Sequence, residues 1–293
     1  MTDYDFRDGA GLLALCEAEQ VPISEAMLRR ETGRLGHARE TALAEMNRSR
    51  EIMRDSAHRA LTERLRTMGG LIGGEAKSIL DSLGAKSACG ALMGRAVAYA
   101  MGVLEVNSSM GLIVAAPTAG SSGVLPGALF AVQEEYGFSD EAITAALFNA
   151  GAVGYLITRN ATVAGAEGGC QAEVGAASAM AASAVAELFG VPPRGCLDAA
   201  STAIANLMGL VCDPIGGLVE APCQKRNAVG VANALVCAQL SVAGIGHLVP
   251  FDETVAAMYA VGKSLPFELR ESALGGLAGT PTACQRCGGC PGR

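Results

Sequence analysis

The chain contains no tryptophan, and its seven phenylalanines and five tyrosines make up only 4% of 293 residues. A β-sandwich or barrel held by aromatic cross-strand pairs is poorly supplied by such a composition. Half of the residues are nevertheless hydrophobic, mostly Ala, Val, Leu and Met, interspersed with 38 glycines. Side chains this small let helix backbones approach closely, so tightly packed helices are expected. Positive charge is also short: 22 Lys and Arg face 29 Asp and Glu, a net charge of −7. That balance argues against nucleic acid or an anionic membrane surface as a partner.

The first residues, Met1-Thr2-Asp3-Tyr4-Asp5-Phe6, are acidic and lack a basic-then-apolar signal pattern. Ala228 to Gly246 is the least polar stretch, but it is mainly Ala, Gly and Val and carries Asn233, Gln239 and Ser241. A buried central helix is expected there rather than a membrane span, and a cytoplasmic protein overall. In a reducing compartment the ten cysteines are core residues, metal ligands or reactive thiols rather than structural disulfides.

Helical periodicity dominates the walk along the chain. Leu43, Met46, Met53, Ala57, Leu61, Leu65 and Met68 recur at steps of three, four and seven and form one apolar stripe. Ser24, after Pro22, is the expected cap of this charged helical region. Charge becomes rare beyond Gly69-Gly70-Leu71-Ile72-Gly73-Gly74, and Ala91 to Val106 is a buried helix. Ser139 caps the next helix, Ala176 to Phe189 is helical, and Asp252 caps a last helix. With no repeat, no linker and no alternating strand pattern, the fold class is all-α: a single compact helical domain. The chain divides into N-terminal amphipathic helices (1–68), a charge-poor, glycine-rich helical region (69–282) and a cysteine-containing tail (283–293).

Three cysteines sit at loops rich in Gly or Pro. Cys170 ends Glu167-Gly168-Gly169, while Cys212 and Cys223 bracket Asp213-Pro214-Ile215-Gly216-Gly217-Leu218-Val219-Glu220-Ala221-Pro222. Glycine permits backbone N–H groups to approach the sulfurs of a thiolate-held cluster. Their separations match no short ligand motif, so the spacing alone leaves open metal ligands and small buried hydrophobes. Cys16, Cys89, Cys196 and Cys237 fall in helical or ordinary apolar settings and read as core. Cys284, Cys287 and Cys290 form a local run with two-residue spacers, compatible with chelation or with an incidental tail. Thr118-Ala119-Gly120-Ser121-Ser122-Gly123 offers hydroxyls and amides that suit a carboxylate. It lacks the Gly-Lys-Ser/Thr ending of a phosphate loop. Of the three histidines, His37 and His58 read as surface residues and His247 as structural.

Several long runs, in one order, resemble the α chain of the iron–sulfur L-serine dehydratases. They are Glu105-Val106-Asn107-Ser108-Ser109-Met110-Gly111, the stretch from Ala115 to Gly127, the stretch from Glu167 to Gly175, Cys212 to Cys223, Arg226-Asn227-Ala228, Gly275-Gly276-Leu277-Ala278 and Thr280-Pro281-Thr282. The resemblance implies an all-helical catalytic domain that eliminates water from L-serine to give pyruvate and ammonia. It implies a [4Fe-4S] cluster held by Cys170, Cys212 and Cys223, with one open iron acting as Lewis acid on the β-hydroxyl. Ser121, Ser122 and neighbouring amides then bind the substrate carboxylate; no α-proton base is assigned. It also implies a separate β subunit, because the chain starts directly in the α-type region. From Ala283 onward the sequence departs from the family pattern, and whether a tail thiol reaches the cluster is left open. Two alternatives remain: a cysteine desulfidase using the same cluster, or a non-catalytic metal or redox scaffold. No Ser-x-Lys context supports a pyridoxal-phosphate enzyme.

Overall fold

A computed structural model describes residues 4–34, 36, 38–84 and 87–286. Among the described residues the regular structure is helical, and the one sheet-like element is an isolated parallel bridge between Cys212 and Arg270. The helices run α1 (Gly9–Glu19), α2 (Ile23–Arg34), α3 (Arg39–Thr62), α4 (Glu75–Ser82), α5 (Gly90–Ser108), α6 (Val124–Tyr136) and α7 (Asp140–Asn160). They continue as α8 (Gly165–Gly168), α9 (Ala176–Leu188), α10 (Pro193–Asn206), α11 (Cys223–Val242), α12 (Phe251–Ser264) and α13 (Pro281–Arg286).

The centre of the molecule is α9, whose residues from Ala176 to Ala186 are all buried. It is surrounded by α6, α7, α10 and α11. A helix buried on every side needs small side chains, and this one is mostly alanine, with serines that bond to neighbours. Ser178 Oγ donates to Gly230 O and Ser183 Oγ to Asn149 Oδ1. Each methyl withdrawn from water here contributes about 0.8 kcal/mol. The second crowded contact lies between α5 and α6. A Cβ at Gly123 would stand 2.0 Å from Ala100 O, and one at Gly127 2.8 Å from Ala96 O. The start of α6 therefore lies directly on the α5 backbone, which glycine alone permits.

Helix α7 is long and apolar enough to cross a membrane by length and composition, with 67% of that window buried inside the protein. It packs against α2, α3 and α9. The stretch expected as a buried central helix, Ala228 to Gly246, forms most of α11, which packs one face against α5, α9 and α10 and turns the other to solvent. That helix ends at Val242 and leaves Val229, Val236 and Val242 exposed. Three other expectations are corrected by tertiary contacts. The stripe ending at Met68 stops at Thr62, and Met68 is 71% exposed. Ser24 is not a cap; it lies inside α2, and its amide donates to the Glu187 carboxylate, which serves the helix start from α9. Asp252 lies within α12 and accepts from Gly9 N and Ala10 N, anchoring α1 across 242 residues of sequence. Ser139 does cap α7, accepting from Ala142 N at 3.2 Å.

Candidate functional site

The three glycine- and proline-flanked cysteines converge. Cys170 ends the turn after α8, Cys212 lies on the loop after α10, and Cys223 opens α11; all three are buried. The Cys170 and Cys212 thiols interact directly, and this contact, reinforced by burial, raises the Cys212 thiol well above the ordinary cysteine range. Burial, with the charges of Cys170 and Glu173 nearby, pushes the Cys223 thiol up to about 12.

Each cysteine is followed by a buried polar residue that fixes it to a distant segment. Gln171 donates to Met258 O at 2.9 Å and accepts from Gly209 N at 2.8 Å. Asp213 pairs with Arg226 at 2.6 Å and accepts from Leu277 N at 2.6 Å. Gln224 donates to Glu105 Oε1 at 3.0 Å. The Cys212 backbone is held a second time, because Cys212 N donates to Leu269 O and Glu271 N donates to Cys212 O. On the α11 side, Glu220 accepts from Gly69 N and Leu71 N, tying the glycine-rich segment after α3 to the turn before Cys223. Three soft donors thus arrive from three loops with their main chains restrained, as a thiolate-bound group requires. Among the described residues, no three His, Cys, Asp or Glu side chains are arranged to hold a single metal ion.

Around the thiols stand Thr118, Glu173 and Arg226. Glu173 accepts from Thr118 Oγ1 at 2.7 Å and faces Cys212 Sγ at 3.5 Å. Burial raises its carboxyl above the usual range against the opposing hydrogen bond from Thr118. Burial works to lower the Arg226 guanidinium, but the charges of Cys170 and Asp213 outweigh it and hold the group above its ordinary value. Arg226 also donates to Val211 O, so one cation braces the Cys212 loop beside the thiols. Asn227 joins α11 to the Gly/Ser loop: it accepts from Gly123 N and donates to Gly120 O and Cys223 O.

With this geometry in place, comparison with known proteins gives one answer. Residues 18–278 match the family described as serine dehydratase alpha chain. The chain belongs to the serine dehydratase alpha chain family. It is 42% identical over 278 residues to a probable L-serine dehydratase alpha chain of Bacillus subtilis, covering 94% of this chain and 92% of that one. It is 44% identical over 272 residues to the L-serine dehydratase alpha chain of Peptoniphilus asaccharolyticus, covering 92% and 93%. A Helicobacter pylori L-serine dehydratase is 35% identical over 286 residues, which are 94% of this chain and 62% of that longer protein.

Within this alpha chain the sequence-predicted residues fall as follows. Cys170, Cys212 and Cys223 share one neighbourhood. Ser121 and Ser122 are fully buried beside it, with hydroxyls turned into their own loop: Ser122 Oγ donates to Ala119 O at 2.8 Å, and Ser121 Oγ lies 3.1 Å from Thr118 Oγ1. Cys16, Cys196 and Cys237 are core residues, but Cys89 is exposed at the entry to α5 rather than buried. Cys284 lies in α13 with its thiol 3.9 Å from Ala278 O; Cys287 and Cys290 fall outside the described residues, as does His37. His58 is bound to Arg54 O and Glu134, and His247 rests on Thr202 Oγ1. Glu173, Arg226 and Asn227 were not singled out from sequence, and Thr118 entered only as part of the Gly/Ser loop. Their signal was position: all four lie inside the runs that carry the family resemblance.

Proposed function

We propose that the chain is the catalytic alpha subunit of an L-serine dehydratase, eliminating water from L-serine to yield pyruvate and ammonia with a β subunit as partner. Family membership supports the activity, and the mutual influence of the buried Cys170, Cys212 and Cys223 thiols, with Glu173 and Thr118 beside Cys212, is the observation that carries the site. The partner follows from relatives named as alpha chains.

The donor set fits an iron–sulfur group. It consists of soft sulfurs in glycine-bordered turns, and a Cβ at Gly165 would occupy the space 3.0 Å from Cys212 Sγ. Cys170, Cys212 and Cys223 would hold a [4Fe-4S] cluster, which supplies Lewis acidity toward the β-hydroxyl, a poor leaving group. This chain's residues do the rest. Arg226 offsets the negative charge of the thiolates from within hydrogen-bonding range of the Cys212 loop. Ser121 and Ser122 hold the tight turn before α6 through their own hydrogen bonds, and the accessible start of that turn, Thr118 to Gly120, is the wall for the substrate carboxylate. Burial of the whole arrangement keeps bulk water from the reacting carbons.

The test is pyruvate formation by anaerobically purified protein, with and without its β chain, from L-serine and from L-cysteine. Pyruvate from L-serine supports the proposal. Turnover of L-cysteine alone would reassign the chain as a desulfidase, and zinc without iron or labile sulfide would reassign it as a scaffold.

A further inference from the structure

The segment that follows Cys170 is a π-helical turn, Gln171–Gly175, joined directly to α9. Such one-turn widenings of a helix recur at functional sites because they swing one side chain out of the helical register. Four of the five residues here are buried, and Glu173 is the one that retains access to solvent. Its carboxylate lies between two glycines. A Cβ at Gly165 would come within 2.6 Å of Glu173 Oε2, and one at Gly120 within 3.2 Å of Glu173 Oε1. Neither position tolerates a side chain, so the two glycine backbones close directly on the carboxylate oxygens and fix where they point.

The charge environment is equally specific. Glu173 accepts a hydrogen bond from Thr118 Oγ1 and lies 3.5 Å from Cys212 Sγ. The cation whose charge reaches it, Arg226, is already paired with Asp213 at 2.6 Å, and Glu271 adds further negative charge. A mostly enclosed carboxylate whose one nearby cation is spent on another acid is complementary to a small positive group. L-Serine carries such a group on the carbon next to its carboxylate.

We infer that Glu173 is the receptor for the α-ammonium group of the substrate, and so the residue that separates amino acids from hydroxy acids at this site. The inference rests on the dehydratase reading above. The geometry divides the zwitterion between two walls: the turn before α6 takes the carboxylate, and Glu173, joined to that turn through Thr118, takes the ammonium. The β-hydroxyl is left to face the three cysteines. A 3-hydroxy acid without the amine keeps two of these three contacts and loses the one to Glu173.

The experiment uses the iron-loaded α–β enzyme and two probes, L-serine and 3-hydroxypropionate, the latter measured as a competitive inhibitor. Wild type, Glu173→Gln and Glu173→Asp are compared at equal iron per chain. A hydrogen bond to a charged partner corresponds to about 10- to 100-fold in affinity. Glu173→Gln is therefore expected to close the gap between the serine KM and the 3-hydroxypropionate inhibition constant by at least about tenfold. Glu173→Asp, which keeps the charge, is expected to restore part of the gap. A gap unchanged in both variants, or serine and 3-hydroxypropionate weakening in parallel, would overturn the assignment and leave Glu173 as a support for Cys212. Should Glu173→Gln lose iron, Glu173→Asp decides alone: its shorter carboxylate must narrow the gap without abolishing it. A wild-type enzyme that makes no pyruvate from serine sinks the dehydratase reading instead, which keeps the two failures apart.

Discussion

Replacing Asn227 with Ala removes the joint between α11 and the Gly/Ser loop. The side chain is fully buried and makes three hydrogen bonds: from Gly123 N at 3.0 Å, to Gly120 O at 2.7 Å and to Cys223 O at 2.9 Å. Cys223 O lies in the first turn of α11 and keeps its helical partner, so two groups lose theirs. Gly123 is buried against Ala100 O, where no water can take the place of the amide. An orphaned buried donor costs about 1–3 kcal/mol. Gly120 is partly accessible and loses about 0.5–1.5 kcal/mol, the net value of an ordinary hydrogen bond. The sum is about 1.5–4.5 kcal/mol, a fall in melting temperature of roughly 3–7 °C for a chain of this size. Thermal unfolding followed by circular dichroism reads the shift. Asn227→Asp keeps the acceptor for Gly123 N but turns a carboxyl oxygen onto Gly120 O and Cys223 O in a fully buried position, and at neutral pH is expected to lose at least as much stability as Asn227→Ala. A shift under about 2 °C for Asn227→Ala would refute the reasoning, because it would mean that the loop does not depend on this residue.

Two further perturbations follow from the same contacts. Gly165→Ala places a methyl against Glu173 Oε2 and Cys212 Sγ, both ends of side chains rather than backbone. It is expected to lower serine turnover by tenfold or more while the melting temperature moves by only a few degrees; unaltered kinetics would remove Gly165 from the site. Glu187 supplies a pH test far from the cysteines. Burial raises its carboxyl against hydrogen bonds from Ser24 and Asn149. An acid raised on folding binds its proton more tightly in the native state, so stability falls as pH rises from the unfolded value, near 4.5, through the higher folded one. The melting temperature of Glu187→Gln relative to wild type is therefore expected to climb across that window, and a pH-independent difference would contradict it.

Much of the helical frame was legible because local pattern and tertiary fate agree there. Ala91 to Val106 lies within α5, Ala176 to Phe189 coincides with α9, and Ser139 caps α7. The failures share a cause. Ser24 and Asp252 have the chemistry of caps, but Ser24 lies inside α2 and Asp252 serves another helix, through contacts that no local window contains. Ala228 to Gly246 is apolar enough for the centre, yet the centre went to the smaller side chains of α9, which alone fit between four neighbouring helices. Spacing placed the three cysteines in comparable loops but could not show that they meet, since their loops are separated by up to 53 positions. Glu173 was invisible for the same reason: its meaning depends on Thr118, 55 residues earlier, and on Cys212, 39 residues later.

The central claim is that Cys170, Cys212 and Cys223 jointly hold the group that acts on serine. It is tested most directly by iron and acid-labile sulfide analysis of anaerobically prepared wild type and Cys212→Ser, with pyruvate formation measured on the same samples. The account predicts about four irons and four sulfides per wild-type chain. Cys212→Ser should retain its helical circular dichroism while losing most of the iron and the activity. A Cys212→Ser protein that keeps both full iron and full activity contradicts it.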